Sequence, residues 1–320
     1  GNKIFRYETK NPVKYLTFIT GLFERLTGSG APGRPEISAH IASDVRTARR
    51  TLIDEARSIV ECYERWFGPY PYERLDLVQR SWPTAGGHSP ASFVILNDLP
   101  RTPDGRLVPN PDSPVELFRY REYTLAHEIA HQWWGQAVTW DRYRDQWLSE
   151  GVAQFAAARY IRERQGERAY SAILKRFSQT ARRASDFGPI TLGSRISYLD
   201  FNAYQAVVYN KAALALQMLA DLIGDEAFFL GLREFQESYR YRAARTTNFI
   251  RSLERVSGRD LGPFFRTWFD SHRLPEVRVA QEVFKRDDEF VLRLRVVQDG
   301  TVFPFPLHLS WTENGVSVRR

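Results

Sequence analysis

The chain has 320 residues, of which 43% are apolar and 26% charged, and its formal net charge is +7. That composition supports a sizeable core in one large domain or two to three smaller ones, and it excludes an intrinsically disordered chain. Cys62 is the only cysteine, which excludes a disulfide framework within the chain and a cysteine-based zinc cluster. No apolar run reaches the roughly 20 residues needed for a membrane-spanning helix.

The positive excess is mostly arginine, so a nucleic-acid partner has to be considered. In "RTARRTLIDEARSIVECYER" and "YIRERQGERAY" both signs alternate at helical spacing, as on solvated helix faces with local ion pairs, and no nucleic-acid partner is expected. The opening "GNKIF" has no Met and reads as a tag scar or processing point.

In chain order, residues 3 to 25 are rich in aromatic and β-branched types with a turn at Asn11-Pro12, and they read as strands. "TGSGAPGRPE" is a loop and "EISAHI" a short strand. A helix is expected from Ser43 to Phe67, capped by Ser43 or Asp44, with Leu52, Ala56, Ile59, Val60 and Tyr63 on its apolar face. "GPYPY" stops it. "RLDLVQRSW" and "ASFVILND" read as strands on either side of Gly86-Gly87, and "LPRTPDGRLVPNPDSP" as a surface loop. From Val115 to about Arg266 the pattern is helical, broken near Gly135, Gly166, Phe187-Gly188-Pro189 and Gly224. After Leu274 alternation returns in "EVRVAQEVF", "EFVLRLRVV" and "PFPLHLSWT", three expected strands.

Within the helical region lies "LAHEIAHQWWG", an H-E-x-x-H motif formed by His127, Glu128 and His131. Residues four apart share a helix face, so both imidazoles can aim at one divalent ion, with Glu128 in reach of a water on it. A solvated helix that happens to carry two histidines is the competing reading. Glu150 follows after 18 intervening residues, among Trp147, Leu148, Val152 and Phe155. A carboxylate on such a face is costly unless paired. It is either a third ligand completing a His₂Glu zinc set or the partner of one of the arginines.

The stretch "HEIAHQWWGQAVTWDRYRDQWLSEGVAQF" resembles the zinc site of the aminopeptidase N and leukotriene hydrolase family of gluzincin metallopeptidases, down to Asp145, Trp147, Leu148 and Gly151 around the second glutamate. "VVYNKAALALQML" resembles the family's Y-x-K segment, with Tyr209 as its tyrosine. "FGPYPYERLDLV" and "WFDSHRLPEVRV" are similar to its sheet entry and its junction to a β-sandwich. The resemblance implies an α+β fold with a thermolysin-like catalytic domain, a sheet-containing lobe facing a helical lobe, flanked by β-strand segments at both ends. It implies residues 1–40 as the end of an N-terminal β-domain, 41–272 as the peptidase and 273–320 as a β-rich segment. It implies one Zn²⁺ held by His127, His131 and Glu150, with Glu128 as general base and Tyr209 as oxyanion donor. The substrate would be a peptide or protein. An exported or cell-envelope location follows only from family habit.

Two departures stand out. The family's G-x-M-E-N, whose glutamate binds the substrate's ammonium, aligns with "GGHSPASF", so that Gly86, Gly87, His88 and Ser89 are the candidate substrate-binding residues and Ser89 replaces the acid. Glu116 and Asp98 are candidate replacements by proximity in sequence. The family's second glutamate, two helical turns after the metal glutamate, falls at Ala157. The expected activity is therefore zinc-dependent peptide hydrolysis with weak free-amine recognition. A catalytically impaired zinc-bound scaffold and an epoxide hydrolase-like activity remain as alternatives.

Overall fold

A computed structural model describes residues 6, 8–28, 33–43, 45, 51–82, 86–98, 106, 108, 120–287, 289–307, 310–313 and 316–319. Asp44, Glu116 and most of the expected loop from Leu99 to Pro114 lie outside the described residues.

A five-stranded sheet forms the first lobe. Its strands are β1 (Phe23–Thr27), β2 (Glu36–Ala42), β3 (Arg74–Arg80), β4 (Gly87–His88) and β5 (Phe93–Asn97). Their spatial order is β1-β2-β3-β5-β4. β2, β3 and β5 run parallel, while β1 and β4 pair antiparallel at the two edges. The sheet thus continues across residue 40. The helix α1 (Leu52–Phe67) links β2 to β3, and its expected apolar face is buried throughout. Parallel strands need such a crossover.

Residues 8–22 correct one expectation. Of the strands expected over residues 3 to 25, Phe23–Thr27 is the only one among the described residues. The β-type composition of Tyr15, Leu16, Phe18 and Leu22 meets no ladder partner, and Leu16, Phe18 and Leu22 remain more than 80% exposed. Strand propensity expresses a fit to a pleated, half-buried surface, and without one the segment stays irregular.

The second lobe is helical: α2 (Tyr120–Ala130), α3 (Trp147–Gln165), α4 (Glu167–Arg183), then a continuous helix made of α5 (Phe201–Tyr204), a π-helical stretch Gln205–Lys211 and α6 (Ala212–Ile223). After it come α7 (Asp225–Tyr239), α8 (Thr246–Ser257) and α9 (Gly262–Trp268). The expected breaks at Gly135, Gly166, Gly188 and Gly224 all fall at positive φ. Phe201–Ile223 is long and apolar enough to cross a membrane, but 67% of its most apolar window is buried inside the fold, as in a core helix. A short parallel pair, β6 (Val138–Trp140) with β7 (Arg242–Ala244), ties α2's exit to the far helices.

Trp133, Trp134 and Trp147 are fully buried at the centre of the core. Trp147 packs edge-on against Phe249 at 5.2 Å and tilted on Phe269 at 4.5 Å. Its indole N–H donates to Thr246 Oγ1 (3.0 Å), and Asp145 accepts from the backbone N–H of Thr246 at 2.7 Å. Aromatic side chains with a satisfied polar end are strong anchors, and these fix the start of α3 just before Glu150.

Beyond α9, β8 (Glu276–Arg286) and β9 (Glu289–Asp299) form a hairpin. The described start of the third expected strand, residues 304–307, is irregular, and β10 (Ser310–Glu313) pairs with β11 (Val316–Arg319). Trp268 docks this segment by stacking edge-on on Phe303 (5.1 Å) and donating to the Pro304 carbonyl (2.7 Å).

Candidate metal and peptide-cleaving site

The α-helical ladder of α2 ends at Ala130, and His131 begins a tight turn that keeps it on the face of His127. The two Nε2 atoms are 3.2 Å apart. Glu150, in the first turn of α3, brings Oε2 to 3.2 Å from His131 Nε2 and 3.7 Å from His127 Nε2. Ligand atoms roughly 2.0–2.2 Å from a tetrahedral zinc stand roughly 3.3–3.6 Å from one another. The three side chains therefore have the types and the spread that a zinc ion requires.

Electrostatics agree. Burial opposes charge on His131, but the Glu150 carboxylate, their hydrogen bond and Glu128 outweigh it and lift the imidazole to about 9. Burial likewise opposes ionisation of Glu150, but His131 and His127 together hold it well below the usual carboxylate range. The two carboxylates thus favour positive charge among these side chains, as a site for a cation does. The partner of Glu150 is this histidine pair and not an arginine.

His131 Nδ1 faces the Trp134 carbonyl (2.9 Å) and Ser149 Oγ (3.2 Å). A backbone acceptor of this kind fixes which nitrogen points to a metal. His127 Nδ1 is buried and has no partner among the described residues.

Glu128 is 7% exposed and accepts a hydrogen bond from Ser89 Oγ. Gly87 lies so close to it that a Cβ there would sit 2.6 Å from Glu128 Cγ. The loop after β4 is clamped to α2's exit: Gln132 accepts from the Ser92 N–H (2.8 Å) and donates to the Pro90 carbonyl (3.0 Å). Gln136 donates to the Ser89 carbonyl (2.7 Å). These bonds hold Ser92 at φ +69°, a left-handed conformation that costs a residue with a side chain on the order of 1 kcal/mol.

Tyr209 lies on the π-helical stretch, a local widening common at functional sites. Its ring lies parallel to His127 at 6.0 Å and edge-on to Tyr204 at 5.4 Å. Burial first, and then the Glu150 carboxylate, push its phenol well above the ordinary range, so it stays a donor. Next to it, Asn210 accepts from Gln154 (2.7 Å) and donates to Thr180 (2.9 Å). Gly151 permits this closeness, since a Cβ on it would meet Ala212 Cβ at 2.6 Å and the Val208 carbonyl at 3.2 Å.

A cleft of about 650 Å³ gathers Gly86, Gly87, His88, Ser89, His127, Glu128, His131, Glu150 and Tyr209. All the site residues expected from the sequence thus line one cavity. Asp98 does not line it and pairs with Arg121 instead, so it is not the replacement acid. Sequence reasoning missed Lys14, Tyr15 and Trp140, which also line the cleft. Tyr15 stacks on His88 at 6.0 Å and its hydroxyl meets His88 Nε2 at 3.1 Å. No local pattern signals a contact between residues 73 positions apart.

Residues 52–268 match the family described as Peptidase family M1 domain. The chain belongs to this family. It is 23% identical over 280 residues to aminopeptidase N of Streptomyces lividans, covering 85% of this chain and 31% of that protein. To the probable aminopeptidase 1 of Sulfurisphaera tokodaii it is 24% identical over 315 residues, covering 94% and 38%. The chain thus spans about a third of the length of the curated relatives it matches. Its fold is similar to that of an M1 zinc metallopeptidase mutant from Deinococcus radiodurans bound to a Tyr-Ser-Ala substrate, with TM-score 0.58, 22% identity, and coverage of 79% of this chain and 53% of that one. The chain thus carries a peptidase family M1 domain, and its fold is similar to that of M1 zinc metallopeptidases of known structure.

Proposed function

We propose that this M1 domain cleaves peptide bonds with one zinc ion held by His127, His131 and Glu150, and that it recognises a free amino terminus weakly. The observation that carries the reading is the convergence of three ligand atoms 3.2–3.7 Å apart with Glu128 and Tyr209 in the same cleft. When bound, the ion supplies Lewis-acid polarisation of the scissile carbonyl and acidifies water. Glu128, held by Ser89, takes the water's proton and returns it to the leaving amine. Tyr209 donates its O–H to the carbonyl oxygen as negative charge develops there. β4 is a sheet edge whose backbone can pair with an extended peptide.

Weak free-amine recognition rests on Ser89. Its hydroxyl is spent on Glu128, and a hydroxyl does not neutralise an ammonium. Among the described residues lining the cleft, the only carboxylates are Glu128 and Glu150, both assigned to other tasks. Intact Glu128 and Tyr209 support catalysis over a scaffold that has lost it.

The test is zinc content by elemental analysis, followed by hydrolysis of matched peptides with free and acetylated amino termini. About one zinc per chain is expected, with activity abolished by chelator and restored by zinc. A free-amine preference above about 100-fold in kcat/KM, roughly 2.7 kcal/mol, would mean that another acid recognises the ammonium.

A further inference from the structure

The irregular segment before β1 brings a cation into the cleft. Lys14 lines the cavity with the zinc-type ligands, and its Nζ sits 3.7 Å from the centre of the Trp140 ring. No described carboxylate forms an ion pair with it. Lys14 is largely exposed, but desolvation against the cleft wall still lowers its pKa, and the nearby Glu150 carboxylate opposes that shift. An ammonium partly desolvated without an ion-pair partner is favoured by a neighbour that supplies opposite charge. The ring face supplies part of it. The rest is open to a ligand.

The cleft's own charges point the same way. Glu128 and Glu150 together only balance a dication, so Lys14 leaves the metal-loaded cleft positive. His88 and Tyr15 on the same wall add donors without adding negative charge.

We propose that Lys14 is a specificity-determining residue that binds a carboxylate of the substrate close to the scissile bond. The carboxylate comes from an Asp or Glu side chain or from the terminus of a short peptide. Trp140 holds the ammonium in place and packs against the neighbouring aliphatic part of the ligand. This inference rests on the peptidase reading above and deepens it.

The experiment compares three peptides of one core sequence, each in free-amine and acetylated form. One is neutral with an amidated end, one carries Asp or Glu beside the scissile bond with an amidated end, and one is neutral with a free carboxylate. The readout is the kcat/KM ratio of each acidic peptide to the neutral one, in wild type, Lys14→Ala, Lys14→Arg and Lys14→Glu, with zinc content and Tm as controls for folding. A ratio of about 10 or more is expected in wild type, corresponding to about 1.4 kcal/mol. It should approach one in Lys14→Ala, persist in Lys14→Arg and fall below one in Lys14→Glu. The second and third peptides separate a side-chain carboxylate from a terminal one. A ratio near one in wild type, or one that survives Lys14→Ala, overturns the proposal. Should no peptide be cleaved, the peptidase reading fails by itself. Calorimetric binding of acetyl-aspartyl amide against acetyl-asparaginyl amide to the zinc-loaded protein then still decides the role of Lys14. Preferential binding of the aspartyl compound that is lost in Lys14→Ala supports it, and equal binding of the two overturns it.

Discussion

On one side of the cleft, His127, Glu128, Glu150 and Tyr209 stand on helices, and His131 in the turn directly after one, with the fully buried Trp133, Trp134 and Trp147 close to the histidines and Glu150 in the chain. On the other side, His88 belongs to a two-residue edge strand with Ser89 just beyond it, and Lys14 and Tyr15 to a segment without regular structure. The bond-breaking groups need placement within a fraction of an ångström, which rigid packed elements supply. The groups proposed to choose a substrate sit on the less regular segments, where chains tolerate change. The difference teaches that substitutions on the first wall should destroy chemistry, whereas those on the second should redirect it.

The largest break is expected from His131→Ala. It removes one of three ligands, and elemental analysis should show the zinc lost and hydrolysis with it. Zinc retained in that variant would mean that the ligand set is wrongly assigned. Next comes Glu128→Gln, which keeps shape and removes the base. Zinc should stay while kcat falls by roughly 10²- to 10⁴-fold, the scale of general-base catalysis. Unchanged kcat would place the base elsewhere. Tyr209→Phe should lower kcat by on the order of 10²- to 10³-fold, as for a lost oxyanion donor. An effect confined to KM would make Tyr209 a binding residue.

The second wall gives the smallest and most informative change. Ser89→Glu should raise kcat/KM for free-amine over acetylated peptides by about tenfold, or about 1.4 kcal/mol, while the zinc content stays the same. If the preference does not move, Ser89 does not face the substrate's amino end.

The same contrast decides what could be read from the sequence. His127, His131 and Glu150 were legible because helical spacing and a fixed separation convert directly into a shared face. The α1 face and the helix-ending glycines were legible for the same reason, since each follows from local periodicity or backbone freedom. Lys14, Tyr15 and Trp140 were not. Residues 8–22 carry strand-type side chains but find no strand to pair with, and their contacts with His88 and Trp140 are long-range. The π-helical stretch at Tyr209 was also hidden, because one extra residue in a helical turn leaves the apolar pattern of "AVVYNKAALAL" nearly unchanged. The start of the third C-terminal strand was misplaced because "PFPL" alternates like a strand while its prolines withhold ladder donors.

The bare contact between Gly151 and Ala212 bears on how such an enzyme fails in a cell. A methyl group at position 151 would improve the intrinsic helix preference of α3 by up to about 1 kcal/mol while pushing the Val208–Ala212 turn, and with it Tyr209, out of register. The two effects oppose each other in the energy of the fold but not in the chemistry. Gly151→Ala should therefore accumulate to normal levels on an immunoblot and show a Tm within a few degrees of wild type, yet be nearly inert. A protein quality-control system that inspects only foldedness would keep it, so the lesion would be a silent one, abundant and dead. Degradation of this variant would show that the contact costs the fold more than the helix preference returns, and full activity would show that it yields without displacing Tyr209.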